Sequence, residues 1–475
     1  MIRNIFFIIF LCLFAGGCSS EYQYIVADRF PPIFPDYIDV TVPSTIAPLN
    51  FMITATCSSC QVSIKGANTA YVVKGKNKIR IPLRKWKKAL ETENILEVTV
   101  SIKENRGWIR HRSFHIYISE DPIDDILCYR RIMPGYAYYN FMGIYQREIS
   151  TFREKTIVEN TLFGNSCLNC HAFAGNDPRK MQLHIRGTGG GTLIIDEEDV
   201  KRIDTRVDGL WDSFRYPYWH PDGRYIAYSI NNTSQTFHNE PSRILDVFDT
   251  RSDIIIYDVE QNKVLSCKTL MDSTCLETFP AFSADGKTLY FCSAPAPLTE
   301  LEKTFYSLKA VSFDPQNGQT GDSIINIYTP KNGSTAFPRP SHDGRYITFT
   351  LADYGTFPIW HKEADIWILN TDSGQAGPAA SINSENTESY HTWSSNSKWL
   401  AFASRRTDGL YTRIYIAHMN EEGIFSKPFL LPQKNPGFYS ESLQSYNIPE
   451  FVSGTIKLSK QAILNSQIIT TRNER

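Results

Sequence analysis

Between Tyr216 and Phe402 one pattern of apolar and polar positions recurs four times. An aromatic stretch, a polar turn and an alternating run follow one another in Tyr216-Pro-Tyr-Trp-His-Pro-Asp-Gly-Arg-Tyr-Ile-Ala-Tyr228. Three further segments align without gaps: Phe279 to Phe291, Phe337 to Phe349, and Tyr390 to Phe402. Asp-Gly permits the positive φ that a tight hairpin needs. The residues after the turn alternate with period two, as a half-buried strand does. A third apolar run follows each hairpin, at Asp253 to Asp258, Tyr306 to Val311, Asp365 to Leu369 and Arg413 to Ala417. Three to four strands per unit at this spacing predict the blades of a β-propeller. A fifth unit is expected from Leu183 through Gly189-Gly190-Gly191 to Asp196, and a sixth around Tyr446 to Phe451, giving six blades. The last repeat carries Asn396-Ser397 in place of Asp-Gly, which predicts a looser turn.

Upstream the pattern changes. Period-two runs at Tyr37 to Val42, Phe51 to Thr56, Val62 to Lys65, Tyr71 to Val73, Ile79 to Ile81, Ile95 to Ile102 and Phe114 to Ile118 predict a small β-sandwich. Trp86 to Leu90 reads as a helical turn. The fold class is therefore mainly β. The expected divisions are a signal peptide at 1–17, a sandwich-like domain at 18–120, a short helical or loop segment at 121–180, the propeller at 181–455, and a terminal strand or tail at 456–475.

The four repeats resemble the TolB-type propeller repeat, an aromatic followed by Ser-Pro-Asp-Gly-Lys and Ile-Ala-Phe. Only the first unit keeps Pro221-Asp222-Gly223; the others carry Ala284, His342 and Ser395 in the proline position. The resemblance implies the fold and little about activity, because propellers host many functions.

The N-terminus reads as an address. Arg3, an apolar run from Ile5 to Phe14 and Ala15-Gly16-Gly17-Cys18 make a signal peptide, and Cys18 after small residues resembles a lipobox cysteine that becomes acylated. The expected location is the cell envelope, an outer-membrane lipoprotein held to the membrane by that anchor. Lys+Arg total 49 against 50 Asp+Glu, so no basic surplus exists to bind nucleic acid.

Ten cysteines sort by context. Cys57-Ser-Ser-Cys60 predicts a small disulfide or two free thiols, and Cys267 and Cys275 flank a loop they could bridge. Cys167-Leu-Asn-Cys170-His171 is a CxxCH. Two thiols three positions apart can each add to a haem vinyl group, and the adjacent His can ligate the iron. One covalent haem c is expected here, with Cys167 and Cys170 as anchors and His171 as proximal ligand. Met181 and His184 are the distal candidates. The stretches Tyr129-Arg-Arg and Gly143-Ile-Tyr-Gln-Arg147 around this motif, with the sandwich and propeller, resemble exported lipoproteins of Bacteroidetes-type bacteria.

Propeller inner strands line a central channel, so Glu277, Phe279, Phe337, Glu388, Tyr390 and His391 are expected there. Two carboxylates and a histidine on one axis would suit cation binding or proton transfer. His238 and His361 read as structural histidines, and the insertion from Asn231 to Ser252 is long enough to cover a channel mouth or the haem. Three functions follow: a monohaem cytochrome passing electrons to a redox partner with the propeller as docking platform, a binding protein for a glycan, peptide or protein with haem as a staple, or an enzyme at the channel mouth or an open haem.

Overall fold

The computed structural model describes residues 23–134, 141–187, 190–240, 243–265, 267–296 and 300–474. The signal peptide and Cys18 lie outside the described residues. Alternation builds the N-terminal sandwich as expected. In Ser59–Lys65 the side chains of Cys60, Val62 and Ile64 are buried and their neighbours are not. That strand and Phe114–Ser119 flank the long Ile95–Glu104 in a seven-stranded sheet. A three-stranded sheet of Ile33–Phe34, Phe51–Ile53 and Lys78–Ile79 shares its core. The helix Leu83–Thr92 buries Trp86, whose Nε1 donates to the Ile46 carbonyl at 3.0 Å.

Six four-stranded units follow, each given from the inner strand outwards. Blade I is Ser445–Val452, Ile126–Ile132, Met142–Glu148 and Glu154–Glu159. Blade II is Leu168–Phe173, Lys180–Ile185, Gly191–Asp196 and Asp199–Asp204. Blade III is Phe214–Trp219, Tyr225–Glu240, Arg243–Asp258 and Lys263–Leu265. Blade IV is Cys275–Phe282, Thr288–Pro295, Ser307–Asp314 and Gln319–Tyr328. Blade V is Ser334–Pro340, Tyr346–Ala352, Asp365–Asn370 and Ala376–Pro378, and blade VI is Glu388–Trp393, Trp399–Ser404, Arg413–His418 and Phe429–Leu430. The six inner strands neighbour one another in a closed ring. The fold is a six-bladed propeller behind a sandwich.

Closure comes from sequence-distant pairing. Ser445–Val452 lies antiparallel to Ile126–Ile132, so the two ends of the propeller are hydrogen-bonded into one blade. The last strands run parallel on outer edges: Ile468–Thr470 on blade II and Arg472–Glu474 on blade III. The sandwich packs on blades I and VI, where Trp399, Ile414 and Phe429 join its core. Tyr37 Oη donates to the Leu430 carbonyl at 3.1 Å, and Arg147 Nη2 to that of Pro432 at 2.9 Å.

Three expectations change. The propeller begins at Ile126 rather than at 181, because blades I and II lack the Asp-Gly turn that marked the other four. The segment 121–180 is therefore not a separate helical or loop unit: its central strands are antiparallel partners in two blades. The turn at Asn396-Ser397 is as tight as its counterparts. Ser397 adopts φ 60° and its N–H donates to the Ser394 carbonyl at 2.9 Å, matching Gly286 to Ser283 at 3.0 Å.

Candidate functional site

Each inner strand carries one residue in the left-handed region: Cys170, Tyr216, Phe279, Phe337, Tyr390 and Ile448, with φ between 41° and 54°. Each sits at or opposite a register shift, so each is a β-bulge that turns one side chain towards the axis. Four of the six are aromatic and pack against one another, one pair T-shaped and two tilted. Ring centroids are 4.5 Å apart for Tyr216 and Phe279, 4.4 Å for Phe279 and Phe337, and 4.6 Å for Phe337 and Tyr390. The channel is closed at this level by packed side chains.

The haem candidates do not share a face. Cys167 and Met181 are buried in the core between blades I and II, with Met142 and Ile144. The His171 ring faces the Ile448 backbone and Arg130 of blade I, 1% exposed, with neither nitrogen hydrogen-bonded. Cys170 lies instead beside Tyr216, Tyr228 and Tyr390. His184 is held by Thr192, with Nδ1 to Oγ1 at 2.9 Å, and faces Arg215 of blade III. Burial pushes His171 and His184 down to about 3, so both are neutral. Met181 pairs across the ladder with Phe173 and is 0% exposed. A haem c needs both thiols and the proximal imidazole around one ring with an axial group opposite. Here Cys167 and His171 face blade I while Cys170 stands at the axis, so the residues as folded do not fit the group.

The insertion at 231–252 is not a loop but the upper part of one hairpin with 16 residues in each strand. It leaves blade III and reaches past blade IV to blade V. There Asp246, 1% exposed, is clasped: Tyr354 Oη donates to Oδ1 at 3.3 Å, His361 Nε2 stands 3.5 Å from Oδ1, and His238 Nε2 stands 2.7 Å from Oδ2. His361 Nδ1 meets Glu363 Oε1 at 3.1 Å, and Tyr354 packs on the His361 ring. Beneath the hairpin, Asn231 Nδ2 donates to Asp249 Oδ2 at 2.9 Å and to Thr278 Oγ1 at 3.1 Å. Burial lifts Asp249 to about 7.

Beside the clasp lies an open crevice of about 620 Å³ lined by Glu240, Asp353, Tyr354, His361, Lys362, Glu363, Asp365, Ser384 and Glu385. Five carboxylates stand there against one lysine. Burial and the nearby Glu388 and Glu363 lift Asp365 to about 6. The opposite mouth, where the inner strands end, holds a recess of only about 100 Å³ lined by Trp219, Trp393, Arg339 and Glu450 among others. Drug-sized ligands occupy sites of about 300 Å³ upwards, so the larger crevice is the candidate. Among the described residues no group of three or more His, Cys, Asp or Glu stands ready to hold a metal ion.

The three strand-start candidates part company. Glu388 is saturated, accepting from the Ser384 N–H and from Ser384 Oγ, Ser404 Oγ and Arg406 Nη2 at 2.7–2.9 Å. His391 is buried on blade VI with neither nitrogen bonded. Glu277 is 1% exposed with Oε2 unpaired, and burial beside Asp253 lifts it to about 8. They do not converge on one site. His361 and His238 are satisfied structural histidines, as expected: both are held by Asp246, and His361 also by Glu363. Asp246, 115 residues from His361, gives no local signal at all. Cys57, Cys60, Cys267 and Cys275 are all free: Cys57 and Cys60 both aim at the Lys76 carbonyl, Cys267 is buried and Cys275 opens its strand half-buried. Ser119, Asp121 and His418 cluster where the sandwich meets blade VI, but Ser and Asp both contact Nε2. A relay needs opposite nitrogens, so this is a clasp and not a triad.

Glu277 makes stability pH-dependent. The folded chain keeps this proton to about pH 8, whereas the ordinary carboxyl value is 4.5. Between those values the folded state binds more protons than the unfolded one, so stability falls as pH rises, by up to about 1.4 kcal/mol per unit. Glu277→Gln is expected to flatten the fall in melting temperature between about pH 5 and pH 8, the window between the two values, and to leave the slope above it unchanged. Equal slopes for the two proteins would refute the assignment.

No family model and no curated protein matches the chain. Solved structures similar to it include prolyl oligopeptidase B from Galerina marginata, 10% identical over 70% of this chain and 42% of that one, TM-score 0.37. A puromycin hydrolase is 11% identical over 66% and 53%, TM-score 0.40. An apocarotenoid oxygenase from Synechocystis is 11% identical over 87% and 95%, TM-score 0.38. The chain spans about half the length of the first two.

Proposed function

We propose that the chain is a ligand-binding propeller held at the cell envelope through Cys18, and that its ligand is a multiply charged amine. The observation that carries this reading is the crevice under the clasped hairpin, with five carboxylates, one lysine and the flat Tyr354 ring. Carboxylates that repel one another across an open crevice gain from a cation placed among them. Blades V and VI supply rigid walls, and the hairpin supplies Glu240 from above. Electron transfer is not carried forward, because the CxxCH thiols and His171 do not meet around one ring.

Spermidine titrated calorimetrically into the full chain is the probe. Binding is expected at low salt, at least tenfold weaker in 0.5 M salt, and at least tenfold weaker in Asp353→Asn/Glu385→Gln, whose circular dichroism stays that of the parent. These two carboxylates line the crevice without belonging to the clasp on Asp246. No heat with spermidine at millimolar concentration, or binding indifferent to the double variant, defeats the proposal.

A further inference from the structure

We infer that Cys167-Leu-Asn-Cys170-His171 is the inner-strand bulge of a propeller blade, with Cys170 in the axis slot and His171 in the slot that follows it, and that it carries no covalent haem.

In the six inner strands the bulge residue and its successor are Cys170-His171, Tyr216-Pro217, Phe279-Pro280, Phe337-Pro338, Tyr390-His391 and Ile448-Pro449. Four of the six successors are proline. A bulge takes a residue out of the ladder, so its N–H is not needed there and proline fits. Histidine fills this slot twice. His391 stands in blade VI with no cysteine in its strand, and is buried at 2% with both nitrogens unbonded. His171 is likewise buried, at 1%, with both nitrogens unbonded. The state of His171 that most resembles a waiting axial ligand is therefore a property of the slot, repeated where no haem attachment is possible.

Cys170 follows the same logic. It has φ 52°, inside the range of the other five, and neighbours Tyr216 and Tyr390, the bulge residues of blades III and VI. Cys167 precedes the strand, and its carbonyl accepts the Arg186 N–H at 3.0 Å. Its side chain belongs to the core towards blade I. One thioether of a haem would have to reach from the core towards blade I and the other from the axis. The ladder from Leu168 to Phe173, paired with Met181, Gln182, His184 and Ile185, would have to break first.

The test uses the full chain, exported in a host that expresses a cytochrome c maturation system, with a known c-type cytochrome as control. The expected result is an intact mass free of any haem increment and no haem stain on a denaturing gel, while the control stains. His171→Pro and Cys170→Phe, each placing a residue that the same slot holds in other blades, are expected to keep the parent's melting temperature within a few degrees. Haem that survives denaturation and disappears in Cys167→Ser would overturn the inference. So would a His171→Pro variant that fails to fold while His391→Pro folds. The mass measurement needs no variant and decides even if both substitutions are tolerated.

Discussion

Glu388→Ala is expected to destabilise the chain by about 3–5 kcal/mol, the range seen when one partner of a buried ion pair is removed. Glu388 is 0% exposed and its two oxygens take four hydrogen bonds. Arg406, its cationic partner at 2.9 Å, has a side chain only 18% exposed. Without Glu388 the guanidinium keeps the Ser404 hydroxyl and the Ile382 carbonyl but loses its countercharge. Urea denaturation followed by fluorescence reads the loss as a lower midpoint. Glu388→Leu/Arg406→Met should recover much of the deficit, because no charge is then left buried alone. A loss below about 1 kcal/mol for the single variant would mean the pair is solvated in solution. The effect should also reach the crevice. Ser384, which lines it, is pinned through both its N–H and its hydroxyl to Glu388. Spermidine binding is therefore expected to weaken in Glu388→Ala although the residue lies outside the crevice.

The sequence made the four blades with matching turns readable, because their information is local. Gly223, Gly286 and Gly344 hold φ near 70–75°, and the aromatic before each turn is the bulge residue or its close neighbour. Blades I and II were not readable in the same way. Blade II turns through Gly175-Asn176-Asp177-Pro178, which does not match the repeat, and blade I pairs Ile126 with Val452. A strong local motif then outweighed a weak register: CxxCH drew Cys170-His171 out of the alignment with Tyr216-Pro217 and Tyr390-His391. The paired prolines after the bulge were the signal that would have placed it. The site divides likewise. Glu277 and Glu388 look equivalent as strand-start carboxylates, and only their partners on other strands separate the unpaired acid from the saturated one. The clasp on Asp246 joins residues of different blades, which no periodicity reports. The length of the insertion was legible in the sequence; its being a hairpin follows from the continued pairing of Asn231 with Ser252 through Phe237 with Leu245.

The ring at the axis supplies the second large effect. Phe337 is 4% exposed and touches Phe279 at 4.4 Å, Tyr390 at 4.6 Å and Phe357 at 6.4 Å between centroids. Phe337→Ala is expected to cost about 3–5 kcal/mol, the usual range for emptying a buried aromatic site. Two of its neighbours are themselves ring members, and each aromatic pair contributes about 0.5–1.5 kcal/mol beyond burial. Both backbones hold a non-glycine residue at φ 52°, so strain does not distinguish parent from variant. Cys170→Ala is the matched control, since it truncates the same slot in blade II by a single sulfur. It should cost far less, because the four consecutive aromatics of blades III to VI remain packed against one another. Near-equal losses for the two variants would show that the slot, rather than the aromatic stack, carries the stability. A small loss for Phe337→Ala alone would show that blades V and VI close over the gap, and that the channel is sealed by blade packing without the ring.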